Sequence, residues 1–157
     1  MGYWGKDMER ASGVLMHISS LPSKYGIGTF GLEAYEFARN LQQAGQKYWQ
    51  ILPLGPTGYG DSPYQSFSTF ALNPYFIDLD TLSEEGLLKT SEYEHVDFGA
   101  REDRVDYEKL YRNRFPLLRK AWERGRARFR DEFAAFRQQE SWWLEDYALF
   151  MSIKEQK

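Results

Sequence analysis

Residues 58–68 read Gly-Tyr-Gly-Asp-Ser-Pro-Tyr-Gln-Ser-Phe-Ser, which sets two tyrosines, three serines and a carboxamide among turn-forming residues. Such a mix suits a polyhydroxylated ring. An aromatic face covers the apolar C–H side of a sugar, while short hydroxyls and amides bond to its rim. The same composition fits an Ω-like loop whose Asp61 and Ser62 bond their own backbone. Composition leaves both readings open.

Chemistry on a glycosidic bond would need two carboxyls, about 5 Å apart in a retaining mechanism. The candidates in the first half are Asp61, Asp78, Asp80, Glu33 and Glu36. The glutamates sit on a helical pattern and read as solvated, whereas Asp78 and Asp80 alternate along a strand-like run. None has a convincing partner, so no catalytic residue is assigned in this chain. His17 reads as a packed strand-end histidine and His95 as an exposed one. There is no His-Glu-x-x-His, no Gly-x-Ser-x-Gly and no cysteine, so neither a metal site nor a serine triad is expected. Gly26-Ile27-Gly28-Thr29-Phe30-Gly31 has the form of a dinucleotide fingerprint, but residues 19–26 separate Ile27 from the strand before it. The next strand ends in Pro53-Leu54-Gly55 instead of an acid. A glycine-rich turn is favoured, with a nucleotide-binding α/β domain as a rival.

The elements that must position the loop are legible from periodicity. Val14 to Ile18 is a short apolar run that suits a buried strand. Ala34, Phe37, Ala38, Leu41 and Ala44 recur at helical spacing, and Gly45 follows as a stop. Tyr48 to Leu54 is rich in β-formers, with Pro53 near its end. Strand, helix, strand at this spacing is a βαβ unit, hence parallel strands, and the loop 55–77 leaves the end where α/β folds place ligands. Asp106 to Trp122 reads as a helix with a kink or restart at Pro116, and Arg128 to Gln138 as another. A last amphipathic helix capped by Ser141 runs on with no Gly, Asn or Pro stop before Lys157, as expected of a segment that continues.

Charge divides the chain. Residues 1–80 carry five of the 20 basic and seven of the 23 acidic residues, so most charge lies on the helical second half. The net charge of −3 offers no basic field to nucleic acid or anionic lipid. No apolar run approaches the roughly 20 residues of a membrane span, and none suits a signal peptide, so a cytoplasmic protein is expected. The aromatic share is 17%, and several of these rings fall in loops where core packing is not their obvious use.

The run from Tyr48 to Ser68, YWQILPLGPTGYGDSPYQSFS, closely resembles the signature of the 4-α-glucanotransferases, glycoside hydrolase family 77. So do Ser19-Ser20-Leu21-Pro22 with Tyr25-Gly26-Ile27-Gly28, Val105-Asp106-Tyr107 with Leu110-Tyr111, and Trp142 to Phe150. The resemblance runs in order from Arg10 onward. It departs at His17-Ile18-Ser19, where family members often carry His-Pro-Thr.

The resemblance implies an α/β fold: the first part of a (β/α)₈ TIM barrel with an inserted, mainly helical subdomain, longer than the ~250 residues of a plain barrel. Residues 1–80 would begin the barrel and residues 81–157 the helical insertion. It implies transfer of α-1,4-glucan segments between maltodextrins by retaining double displacement, with starch, maltodextrin or glycogen as partner and no cofactor. The catalytic Asp, Glu and Asp would lie on later strands. By matched position, Ser62 and Tyr64 line the cleft beside the scissile bond, and Tyr59 and Tyr111 belong to a secondary glucan site. Gln65 and Asn73 keep the loop's shape or support it from behind. The alternative is a stand-alone, non-catalytic α-glucan-binding module.

Overall fold

The computed structural model describes residues 10–58, 61–99 and 103–155. Its two strands, β1 (Gly13–Leu15) and β2 (Tyr48–Gln50), pair in parallel, with Val14 opposite Trp49. Helix α1 (Leu32–Gln43) makes the connection. It lays Phe37 edge-on against Trp49 at 4.9 Å, and the Trp49 indole N–H donates to the Met16 carbonyl at 2.7 Å. Helix α1 stops as its sequence demands. Gly45 takes φ +71°, and the amides of Gly45 and Gln46 turn back to the carbonyls of Gln42 and Leu41. That is a Schellman closure, which a β-carbon at position 45 would strain.

Both strands are shorter and barer than their sequences suggest. Leu15 is 56% exposed and Tyr48 67%, so the run from Val14 is not a buried strand; only its end, His17 and Ile18 beyond β1, is sequestered. In a two-stranded sheet, α1 covers the face bearing Val14 and Trp49, and the described residues provide little cover for the other. Beyond Gln50 the ladder gives way to a side chain: the Leu52 amide donates to His17 Nδ1 at 3.3 Å.

The core lies beside the sheet. Ile18, Leu21, Ile27, Phe76, Leu79, Leu88, Tyr93 and Phe98 pack against Leu110, Leu117 and Ala121 of α3 (Tyr107–Gly125). This cluster draws on both sides of residue 80, so the change in charge density there is not a gap in packing. Arg114 of α3 is fully buried and donates to the Ile77 and Tyr25 carbonyls. Burial lowers its pKa to about 10, which still leaves it cationic at neutral pH.

Four local expectations are corrected. Asp78 and Asp80 are not on a strand. Asp78 is the N-cap of α2 (Leu79–Glu84), accepting from the Thr81 amide at 2.8 Å and the Thr29 hydroxyl at 2.6 Å. Asp80, in the first turn, accepts from the hydroxyls of Tyr25 and Tyr93. Pro116 does not restart its helix, since α3 runs through it as one element. Ser141 does not cap by accepting: its hydroxyl donates to the Gln138 carbonyl, at the junction of α4 (Arg130–Gln139) and α5 (Ser141–Glu155). Nor does α5 have one apolar stripe. Trp142, Leu149, Phe150 and Ile153 are all exposed, and no α5 residue is buried.

Candidate functional site

The C-terminal ends of the two parallel strands converge on a pocket of about 130 Å³. The segment that follows β1 supplies His17, Ser19 and Ser20, and the segment that follows β2 supplies Leu52, Pro53, Gly55 and Thr57. Asp61, Pro63, Asn73 and Tyr107 close it. A wider recess of about 550 Å³ shares Ser19, Ser20 and Ile27 with this pocket and extends toward Ser23 and Arg104.

The loop is partly self-satisfied. Thr57 and Ser66 form an isolated antiparallel bridge. The Ser66 hydroxyl donates to the Ser68 carbonyl at 2.6 Å, and the Ser68 hydroxyl accepts from the amides of Phe70 and Ala71. Those two serines are spent on the loop itself. Ser62 is different: its oxygen takes only a long contact, 3.4 Å, from the Tyr64 amide. Tyr64 is 73% exposed, beside Asp61 and Pro63 of the pocket wall. Gln65 is exposed too, its backbone amide donating to the Ser62 carbonyl. Asn73 is buried in the pocket wall: its Oδ1 accepts from the Tyr75 backbone amide, and its backbone amide donates to the Leu54 carbonyl.

Tyr111 stands apart from this group, 60% exposed on α3 and leaning on Phe115 at 5.4 Å. Phe115 in turn touches Tyr75, which touches Tyr107 of the pocket, so an aromatic chain links the two places. Tyr59 lies outside the described residues.

Electrostatics set the pocket apart from the rest of the loop. Burial pushes the Asp61 carboxyl up and the His17 imidazole down, so both favour their neutral forms more than usual. The phenol of Tyr75 is pushed up to about 12, by burial first and then by the nearby Asp61 charge. His17 is satisfied as a packed histidine, with Nδ1 on the Leu52 amide and its ring edge-on to Phe76 at 5.5 Å. Among the described residues, no three His, Cys, Asp or Glu side chains are grouped to hold a metal, and no helix is long and apolar enough to cross a membrane.

The glycine-rich segment is not a phosphate cradle. A β-carbon on Gly28 would lie 1.9 Å from the Ile18 carbonyl oxygen, and the Gly28 amide already donates to Ser19. Gly31 faces the Asp78 carboxylate, the wrong charge for a phosphate. These glycines let backbone pack on backbone.

Sequence reasoning missed the far side of the loop. Phe70 packs on Trp142 at 4.4 Å, Phe67 on Phe150 at 5.8 Å, and Lys154 sits 3.4 Å above the Phe67 ring. Helix α5 therefore grips the loop from behind. It also missed Tyr107 and Thr57 as pocket residues, although both fall within the runs that resemble the family.

The profile of the 4-alpha-glucanotransferase family, glycoside hydrolase family 77, matches residues 16–157. The chain belongs to that family. It is 56% identical to a 4-alpha-glucanotransferase of Clostridium butyricum over 139 residues, covering 88% of this chain and 28% of that protein. It is 53% identical to one from Thermus thermophilus, covering 94% of this chain and 29% of the relative. A solved structure, an amylomaltase from Streptococcus agalactiae in complex with acarbose, superposes with a TM-score of 0.90 at 49% identity, over 94% of this chain and 30% of that one. The chain thus spans less than a third of the length of the relatives it matches.

Proposed function

We propose that this chain is the N-terminal, substrate-holding part of an enzyme that transfers α-1,4-glucan segments between maltodextrins by retaining double displacement. In that scheme β1 and β2 are the first two strands of a (β/α)₈ barrel, and residues 81–157 begin a helical insertion. The parallel pairing and the exposed faces of Leu15, Tyr48 and Ile51 support this, since barrel strands are covered on both sides. The carboxylates that break and remake the glycosidic bond lie outside this chain.

The chain's own contribution is to hold the glucan. The observation that carries the proposal is Tyr64, exposed beside a polar pocket at the strand ends with Ser62 adjacent and nearly unpartnered. The ring of Tyr64 stacks on a glucose face and the Ser62 hydroxyl bonds its rim. Tyr111, with Tyr59, serves a more distant stretch of a long chain. Gln65 and Asn73 keep the turn in shape.

Glucose release from maltotriose tests this. The intact enzyme is expected to release glucose and to form longer maltodextrins, whereas purified residues 1–157 are expected to do neither. Turnover by the 157-residue chain would refute the placement of the catalytic carboxylates. Binding of maltodextrin with no turnover by the longer polypeptide would favour a binding module instead.

A further inference from the structure

Asp61 has φ +56°, the one non-glycine residue with positive φ among those described. The other four such positions, 26, 45, 86 and 99, are all glycines. A β-carbon in this region costs about 1 kcal/mol, somewhat less for Asp than for bulkier residues. Glycine would remove that cost. The turn does not need the carboxylate, because it is closed by the main-chain bond from the Asp61 amide to the Gly58 carbonyl at 3.1 Å. A glycine would make the same bond.

Nor does the carboxylate serve the loop. It makes no hydrogen bond or ion pair among the described residues, unlike Asp78, Asp80, Asp97 and Asp106, each of which accepts at least one. It is half-buried in the wall of the small pocket, which it shares with His17 and Asn73, and neither of those side chains donates to it. Thr57 Oγ1, in the same pocket, is buried without a partner. A half-buried carboxylate with no protein donor and a buried hydroxyl with no partner, in one pocket, are groups that a ligand rich in hydroxyls would match.

We propose that Asp61 is a substrate-binding residue: its carboxylate accepts a hydrogen bond from one hydroxyl of the glucose unit lying against Ser62 and Tyr64, and so fixes that ring's rotation over the strand ends. This rests on the glucan-binding reading above. The strain at residue 61 then has a reason: it keeps a carboxylate in the pocket wall where a glycine would leave none. Burial, which raises the carboxyl's pKa, also strengthens the bond it accepts.

The test uses the intact enzyme with Asp61→Asn and Asp61→Gly, assayed on maltotriose and on its monodeoxy analogues, beside thermal melts. A hydroxyl donating to a carboxylate is worth about ten-fold or more in kcat/KM. Asp61→Gly should lose that much on maltotriose and melt no lower than the parent, while Asp61→Asn, whose amide oxygen still accepts, should lose less. One monodeoxy analogue should be about ten-fold poorer for the parent yet no poorer than maltotriose for Asp61→Gly, with Asp61→Asn in between. That non-additivity is a signature a loop-shaping role would not give. Parental kcat/KM in Asp61→Gly overturns the inference, as do losses that simply add for every analogue. Absence of any glucan transfer by the parent would instead bring down the reading on which the inference rests.

Discussion

Truncation of Tyr64 separates binding from folding more cleanly than any other change in the loop. The ring is 73% exposed and makes no aromatic contact among the described residues, so Tyr64→Ala should alter stability by no more than about 0.5 kcal/mol. If a glucose unit covers one face of the ring, about 60 Å² of apolar surface leaves water, worth roughly 1.5 kcal/mol. That corresponds to about ten-fold in kcat/KM for maltotriose. Tyr64→Phe keeps the face and should recover most of the loss. Tyr111→Ala, which removes an exposed ring at the far end of the aromatic chain, should leave maltotriose turnover near parental and alter only the handling of long glucans. The assay is glucose release from maltotriose and from amylose, with a thermal melt for each variant. Equal effects of the two alanine variants on short and long substrates would refute the division of labour. A loss of stability above about 2 kcal/mol in Tyr64→Ala would refute the claim that this ring is free to bind.

Two further predictions concern the frame. Asp78→Ala removes an N-cap, worth about 1 kcal/mol, and leaves the buried Thr29 hydroxyl without its acceptor, worth about 1–3 more, so urea unfolding should show a loss of about 3 kcal/mol; Asp78→Asn, which can still cap, should lose less than half of that. Glu92 is held by Arg124 at 2.6 and 2.8 Å and by Lys120 at 3.0 Å, and these partners keep its carboxyl far below the usual 4.5. A folded-state pKa below the unfolded one gives stability that is complete above about pH 4.5 and fades as pH falls toward the folded value. The parent should therefore outlast Glu92→Gln at pH 7, with the gap in melting temperature closing below pH 4; a gap that widens in acid would contradict it.

Much of this was legible because it is local. The βαβ unit announces itself through periodicity and the Gly45 stop, and the loop through its density of turn residues and hydroxyls. The errors share a cause. Ile77-Asp78-Leu79-Asp80 alternates like a strand, yet Asp78 three residues before Thr81 is also an N-cap, and the cap won because it also satisfies the buried Thr29. The proline at 116 offered a break that packing of Leu110, Leu117 and Ala121 in one core overrode. Tertiary facts left no trace: nothing distinguishes Arg114 from the other arginines of α3, and nothing in Phe67 or Phe70 says that α5 holds them. Within the site, Ser62 and Ser66 look alike in sequence, yet in the fold Ser66 is spent while Ser62 is nearly free.

The most direct test of the account is a crystal of the intact enzyme soaked with a non-hydrolysable maltodextrin analogue. The account predicts a glucose ring stacked on Tyr64, within hydrogen-bonding distance of Ser62 and over the ends of β1 and β2. A sugar chain bound elsewhere, with Tyr64 and the small pocket left in solvent, would contradict it.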